Sequence, residues 1–363
     1  MRVRRAHRVL SVSLAFVLSL ITGSAARAQA GLDSLRFSGF VEASGQHATR
    51  HENRLITGRL YGQRHDQFSL NAFEIGIERP IDEHRLMAGF TVRLMYGASA
   101  TRIHAAGLAL GSQEDLVQAF VTLNRPTRSG SLQLSAGKFA SIMGFEVVES
   151  TLNPNLSIGN QFVFLEDLSH VGIEANWNAN AMWAFRACVV NGWDLAVDNN
   201  SGKTAMGRLT WSLQPGTSVA LLGYAGPEQA ENENDLRRGG EILATTALGA
   251  MTATVQVDAG FEDGIDASWW GAGLWWSIPV GPGVTLALRG DRIDDFDGAR
   301  TSGVLGFPAL DAQRLDSVTA TFNYRPVPDL IVRPEVRWDR SSHAVYNGAH
   351  EQATVALGIA LAF

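Results

Sequence analysis

The chain has 363 residues, 45% of them hydrophobic, a mean hydropathy near zero and a formal charge of −6. Its single cysteine, Cys188, excludes an intrachain disulfide, so stability has to come from packing and backbone hydrogen bonds. The acidic balance excludes a nucleic-acid partner, and beyond the first thirty residues no run reaches the roughly 18 apolar residues that a membrane helix needs.

Residues 1–30 read as an export signal. Arg2, Arg4, Arg5 and Arg8 precede the apolar VLSVSLAFVLSLI, and Ala28-Gln29-Ala30 supplies small residues for cleavage. Removing this segment takes away five arginines and no acids, moving the formal charge from −6 to −11. No cysteine follows the apolar run, which argues against a lipid anchor. Residues 31–363 then read as one domain.

From Leu35 the chain alternates. Leu35, Phe37, Gly39, Val41 and Ala43 interleave with Arg36, Ser38, Phe40, Glu42 and Ser44, the period of a strand with one apolar and one mostly polar face. After a polar loop over 47–66, Phe73, Ile75 and Ile77 alternate with Glu74 and Glu78; Pro80 to Glu83 turn the chain, and Leu86 to Tyr96 return it. Phe68 and Leu70 have the opposite parity from Phe73, which calls for either a bulge near Asn71 or a different strand boundary there. The same hairpin recurs through short turns at 126–130, 178–180, 214–216, 249–250, 279–283 and 325–329. Longer polar connections fall at 97–114, 191–203, 226–238, 262–267, 292–313 and 341–349. Roughly sixteen strands, seven short turns and eight long loops are the pattern of an outer-membrane barrel. The fold class predicted is all-β, a transmembrane antiparallel up-and-down β-barrel.

One connection is different. Residues 138–170 are long for a loop and apolar: Ile142, Met143, Phe145, Val147, Val148, Leu152, Leu156, Ile158, Phe162, Val163, Phe164 and Leu165 follow no sustained helical or strand period. A loop lying in water would not carry them. The expectation is that this loop folds inward and narrows a pore, since about sixteen strands enclose an aqueous channel whereas about eight would be filled by side chains.

Aromatics mark both ends of the wall. Trp177, Trp183, Trp211, Trp276 and Tyr324 fall on the outward parity near short turns, and Tyr96, Phe261, Trp270 and Trp338 lie near long loops, giving two girdles. Pro334 lacks a ladder donor and counts locally against its strand. Ala353, Val355, Leu357, Ile359, Leu361 and Phe363 end the chain in strict alternation, which resembles the terminal strand by which outer-membrane proteins meet their assembly machinery.

The inward parity carries both signs: Arg36, Arg93, Arg186, Arg208, Arg289, Arg333 and Arg337 against Glu42, Glu74, Glu78, Glu174, Asp258 and Glu335. Facing rows of opposite charge favour small polar solutes, although pairwise neutralisation of a hydrated wall needs the same residues. If the loop folds inward, Lys138, Glu146, Glu149, Glu166 and Asp167 line the narrow zone and bias it slightly to cations.

Phe40-Val41-Glu42-Ala43-Ser44, Gly137-Lys138-Phe139, Gly144-Phe145-Glu146-Val147-Val148-Glu149-Ser150, His170-Val171-Gly172 and Asn191-Gly192-Trp193-Asp194 with Asp198-Asn199-Asn200 and Lys203 resemble the beta-barrel porin-2 (OmpL-like) family, most densely over 133–208. The resemblance implies an outer-membrane porin and supplies no substrate. It fits passive diffusion of ions and small hydrophilic solutes, a lipid surround and, by analogy, a homotrimer.

Two other classes compete with this reading: a structural or adhesive barrel without an open pore, and a hydrolase. For the latter, Ser169-His170 is the nearest nucleophile and base pair, but adjacent strand residues point to opposite faces and no Gly-x-Ser-x-Gly elbow occurs. Asp194, Asp198, Asn199 and Asn200, and separately Asp294, Asp295 and Asp297, offer hard oxygen ligands, yet neither group has the spacing of a twelve-residue calcium loop. The sequence therefore assigns no catalytic residue, cofactor or metal.

Overall fold

A strand that is apolar on one side and polar on the other satisfies both faces, and all its backbone donors, only when its sheet closes around water within lipid. The computed structural model describes residues 35–363 apart from Ala109, so the segment read as an export signal lies outside the described residues. Sixteen antiparallel strands close on themselves. In chain order they are β1 (Arg36–Ala48), β2 (Gln67–Arg79), β3 (Met87–Tyr96), β4 (Glu114–Pro126), β5 (Ser131–Ala140), β6 (Ser169–Asn178), β7 (Trp183–Val190) and β8 (Thr204–Gln214). There follow β9 (Thr217–Gly226), β10 (Arg237–Leu248), β11 (Met251–Glu262), β12 (Ala267–Gly281), β13 (Val284–Asp295), β14 (Gln313–Val327), β15 (Leu330–Ser341) and β16 (Glu351–Ala362). Each strand pairs with its sequence neighbours, and β1 pairs with β16 to close the wall.

The seam is sealed at its end by two reciprocal bonds, Gly39 N to Phe363 O at 2.9 Å and Phe363 N to Gly39 O at 3.0 Å. Gly39 has to be glycine there: a Cβ would fall 2.2 Å from the Glu74 carbonyl oxygen, which belongs to the wall and cannot yield. The bulge expected near Asn71 is present. Glu42 faces Ala72 and Ala43 faces Leu70, so Asn71 is left over, and its amide turns inward to Glu42 Oε1 at 2.9 Å. That extra residue puts Phe68, Leu70 and Phe73 on one outer face.

Several strands run further than the sequence pattern marked. The turn predicted over 279–283 shrinks to Pro282-Gly283, with Gly283 at φ 66°, and that over 325–329 to Pro328-Asp329. Pro334 sits within β15 opposite Leu357, so the wall tolerates one missing donor. The girdle tryptophans stack in pairs on the outer face: Trp183 on Trp211 with ring planes 6° apart, and Trp177 on Phe185 at 5.3 Å.

The lumen loop as candidate functional site

The long apolar connection is shorter than read from the sequence, because Lys138 to Ala140 and Ser169-His170 continue the β5–β6 ladder. The loop proper is 141–168, with one α-helix, α1 (Asn160–Leu165). It lies inside the barrel. Its tip meets β13, β14 and β15, and since β13 is eight places from β5 in a ring of sixteen, the loop crosses the full diameter.

Apolar packing holds it on three sides. Val148, Ile158 and Phe162 join Phe40, Met95 and Val117; Ile142 and Met143 join Cys188, Met206 and Tyr224; Phe164 and Leu165 join Trp269, Ile293 and Leu315. Phe145 lies against Trp275 at 5.1 Å. These contacts account for most of the apolar residues that follow no period, which divide among three arcs of wall, while Leu152 stays exposed.

Polar groups do the rest, because an irregular segment leaves peptide groups without partners and the wall must supply them. Arg333 donates to Ser150 O at 2.9 Å and Asn153 O at 2.6 Å, and Arg337 to Ile158 O at 2.5 Å and Asn160 Oδ1 at 2.9 Å. Glu335 accepts from Leu156 N at 2.7 Å and Ser157 N at 3.1 Å. Arg289 pairs with Glu146 at 2.8 Å, and Glu146 in turn accepts from Gly159 N at 2.7 Å. Arg208 on β8 donates to Ile142 O at 2.7 Å, and Glu42 on β1, close to Arg333, accepts from Ser150 Oγ at 2.9 Å.

The remaining expected site residues are also engaged. Lys138 bonds Asp115 at 3.2 Å and Leu116 O at 2.6 Å, Glu149 accepts from Gln118 at 3.0 Å, and Asp167 lies 2.5 Å from His170 Nε2. Glu74 pairs with Arg93 at 3.1 Å and Glu174 with Arg186 at 2.7 Å, while Arg36 is an exposed rim residue 3.9 Å from Glu78. Lys138, Glu146, Glu149, Glu166 and Asp167 are all buried. Glu146, Glu149, Glu166 and Asp167 spend their carboxylates on contacts of the loop, whereas Lys138 ties β5 to β4.

Glu166 meets Glu241 and Asp258 in a dry cluster, and Gln256 Nε2 sits among them, 2.6 Å from Glu166 Oε1 and 2.9 Å from Asp258 Oδ2. Burial first, then Asp258 and Glu241, raises the Glu166 carboxyl well above the usual range. The amide fills the centre that an ion would take. A second cluster, His47, His65 and Asp66, knots the first loop: His65 Nδ1 accepts from Ala48 N at 3.0 Å and its Nε2 faces Asp66 at 3.0 Å, so both ring nitrogens are used.

The loop acids weighed as calcium ligands tie down backbone. Asp194 accepts from Leu168 N at 2.8 Å and Ser169 N at 2.9 Å, and Asp295 from Arg300 N and Thr301 N. As for a hydrolase, both His170 nitrogens face partners other than Ser169, namely Asp167 and Gly192 O. Sequence reasoning passed over Trp269, Trp275 and Gln256. The doublets Trp269-Trp270 and Trp275-Trp276 held the signal, since neighbours on a strand point to opposite faces and one of each pair must enter the lumen.

Fold and site define a sixteen-strand outer-membrane barrel of porin type, with one loop laid across its lumen. The chain belongs to the family described as "Putative beta-barrel porin-2, OmpL-like", whose model matches residues 34–363. No curated protein sequence matches it significantly. Among solved structures it is similar to the high-pH structure of Pseudomonas putida OprB, with a TM-score of 0.63 at 12% identity over 93% of this chain and 96% of that one. It is likewise similar to an anion-selective porin from Comamonas acidovorans, with a TM-score of 0.61 at 13% identity over 91% and 99%. Salmonella typhi OmpF in complex with daunomycin gives 0.61 at 14% identity over 91% and 97%. At these identities the likeness speaks to fold.

Proposed function

We propose that this protein is a porin through which ions and small hydrophilic solutes diffuse passively, with loop 141–168 as its constriction. The observation carrying this reading is the loop's course: rooted at β5 and β6, it reaches the opposite wall of a barrel wide enough to hold water. Arg289, Arg333, Glu335 and Arg337 set the loop's height and depth, and the residual passage is what the loop leaves open. Export through residues 1–30, delivery to the assembly machinery by the terminal strand and association as a homotrimer belong to the same proposal. Selectivity then follows less from rows of free charge than from the size of the gap, since the wall charges already have partners.

A second reading has one observation in its favour. Glu146, Arg289, Arg333 and Arg337 are all at most 2% exposed, as in a plug rather than an eyelet. Stepwise conductance of the purified protein in planar bilayers separates the two. Small, stable steps support the constricted pore; silence in the wild type, with conductance only after residues 150–161 are deleted, makes the loop a plug.

A further inference from the structure

On the outer face, a cavity of about 460 Å³ opens between the first loop, the outer end of β2 and the β3–β4 connection. Its polar side carries Arg64 and Arg102. Both are exposed and neither forms an ion pair among the described residues, although Arg102 donates to Gln63 Oε1. Partial burial and then the neighbouring Arg64 hold Arg102 below the ordinary guanidinium value, so the two positive charges sense each other. Its apolar side carries Phe68, at 90% the most exposed large hydrophobic side chain among the described residues, together with Leu70 and Tyr96.

Phe68 also borders a second cavity, of about 580 Å³, lower on the lipid-facing wall and lined by Pro334, Val355 and Leu357 over Gly45. Gly45 lies opposite Phe68 in the ladder and the ring covers it: a Cβ there would fall 2.9 Å from the ring edge. The two cavities share Gln67 and Phe68 and form one track, with Pro334, Val355 and Leu357 along the wall, two arginines at the rim, and Asp66, held by His47 and His65, bordering the second cavity. Two arginines without a carboxylate partner stand above a phenylalanine that covers Gly45 with one side of its ring and leaves the other open at the level of the outer aromatic girdle.

We propose that this track binds a phosphorylated glycolipid of the outer leaflet, its phosphate clamped by Arg64 and Arg102 and one acyl chain laid over Phe68 toward Pro334 and Leu357. Charge complementarity selects the headgroup, since guanidinium pairs bind phosphate oxygens in bidentate fashion. Continuity with the lipid-facing wall selects a lipid over a soluble anion. The Pro334 that sits awkwardly in a ladder then has a use, because the site needs a flat, side-chain-poor stretch of outer wall.

The test uses the full folded protein in neutral detergent, with native mass spectrometry reading bound diphosphoryl hexa-acyl lipid A. One lipid per chain is expected, reduced at least tenfold in Arg64→Glu/Arg102→Glu, at least threefold in Phe68→Ser, and at least tenfold when the lipid is dephosphorylated. Arg340→Glu, at another exposed rim arginine, should bind as wild type; heat-modifiable gel mobility confirms that each variant is folded. Undiminished binding by the double variant or to the dephosphorylated lipid overturns the proposal, as does equal loss in Arg340→Glu. Complete displacement by millimolar inorganic phosphate also overturns it, making the pair a soluble-anion site. None of these outcomes depends on whether the barrel conducts.

Discussion

Arg289 on β13 and Glu146 in the lumen loop meet at 2.8 Å, and neither side chain touches solvent. Their elements leave the wall on opposite sides of the barrel, so this pair joins the loop to the far wall across the lumen.

Removing one member should release the loop. Truncating one partner of a buried pair costs about 3–5 kcal/mol because the other charge stays behind unpaired. A loop able to move into water will do so instead. Arg289→Ala is expected to raise single-channel conductance and its open-state noise, whereas Arg289→Ala/Glu146→Ala, which strands Asp291 alone rather than Asp291 and Glu146 together, should lie closer to wild type. Records of Arg289→Ala indistinguishable from wild type would show that the pair does not hold the loop.

Deleting residues 150–161 should enlarge the conductance further without harming assembly. The segment contributes no strand-ladder bond, and Arg333, Glu335 and Arg337, which lose their loop partners but keep Asn323, Thr321 and Asp339, become hydrated as the lumen fills with water. The deleted protein should keep its heat-modifiable mobility. If conductance and ion preference both stay at wild-type values, the segment is not in the conducting path.

Cys188 is a built-in reporter of loop docking. It is the only cysteine of the chain and lies buried on the inner wall beneath Ile142 and Met143. In the folded wild type a small water-soluble maleimide should label it slowly; Ile142→Ala/Met143→Ala, which thins the cover, should speed labelling at least tenfold. Equal rates would mean that something other than the loop shields the thiol.

Asp194 gives a pH dependence with a definite sign. Burial, then the Asp167 carboxylate, lifts its carboxyl to about 6, outweighing the two amides that it accepts. A folded-state value above the unfolded one of about 3.9 means that the folded protein holds the proton more tightly between the two. The stabilisation is therefore full below pH about 4 and lost as pH rises through about 6. Hydrogen exchange at the Leu168 and Ser169 amides, compared at each pH with Asp194→Asn, should be slower in wild type at pH 4 than at pH 7. A constant ratio across that range would remove Asp194 from the account.

Much of the wall was legible because strand alternation is a local property: which face Val41 or Glu42 takes follows from its immediate neighbours. Even the Asn71 bulge could be read, as Phe68 and Leu70 fall out of phase with Phe73. The loop's inward preference was legible only as a composition, the apolar run from Ile142 to Leu165. Its attachment was not. Arg333 and Arg337 read equally well as pore lining, and nothing in their neighbourhoods indicates that the carbonyls of Ser150 and Ile158, more than 170 positions away, require donors. Parity says that an arginine faces inward; only the fold says what has already arrived there.

The loop's span also gives the barrel a mechanical axis. A closed sheet is a hoop, and a hoop ovalises easily under side load. Here the loop is fastened at Ala140 and Ser169 on one side and by Arg289, Glu335 and Arg337 on the other, like a tie rod across a ring. Along that diameter the wall cannot spread without breaking several buried charge-assisted bonds, each worth about 1.5–3 kcal/mol. The stiff direction is therefore β5 to β13, and lateral pressure from the bilayer has to deform the section along the diameter at right angles to it.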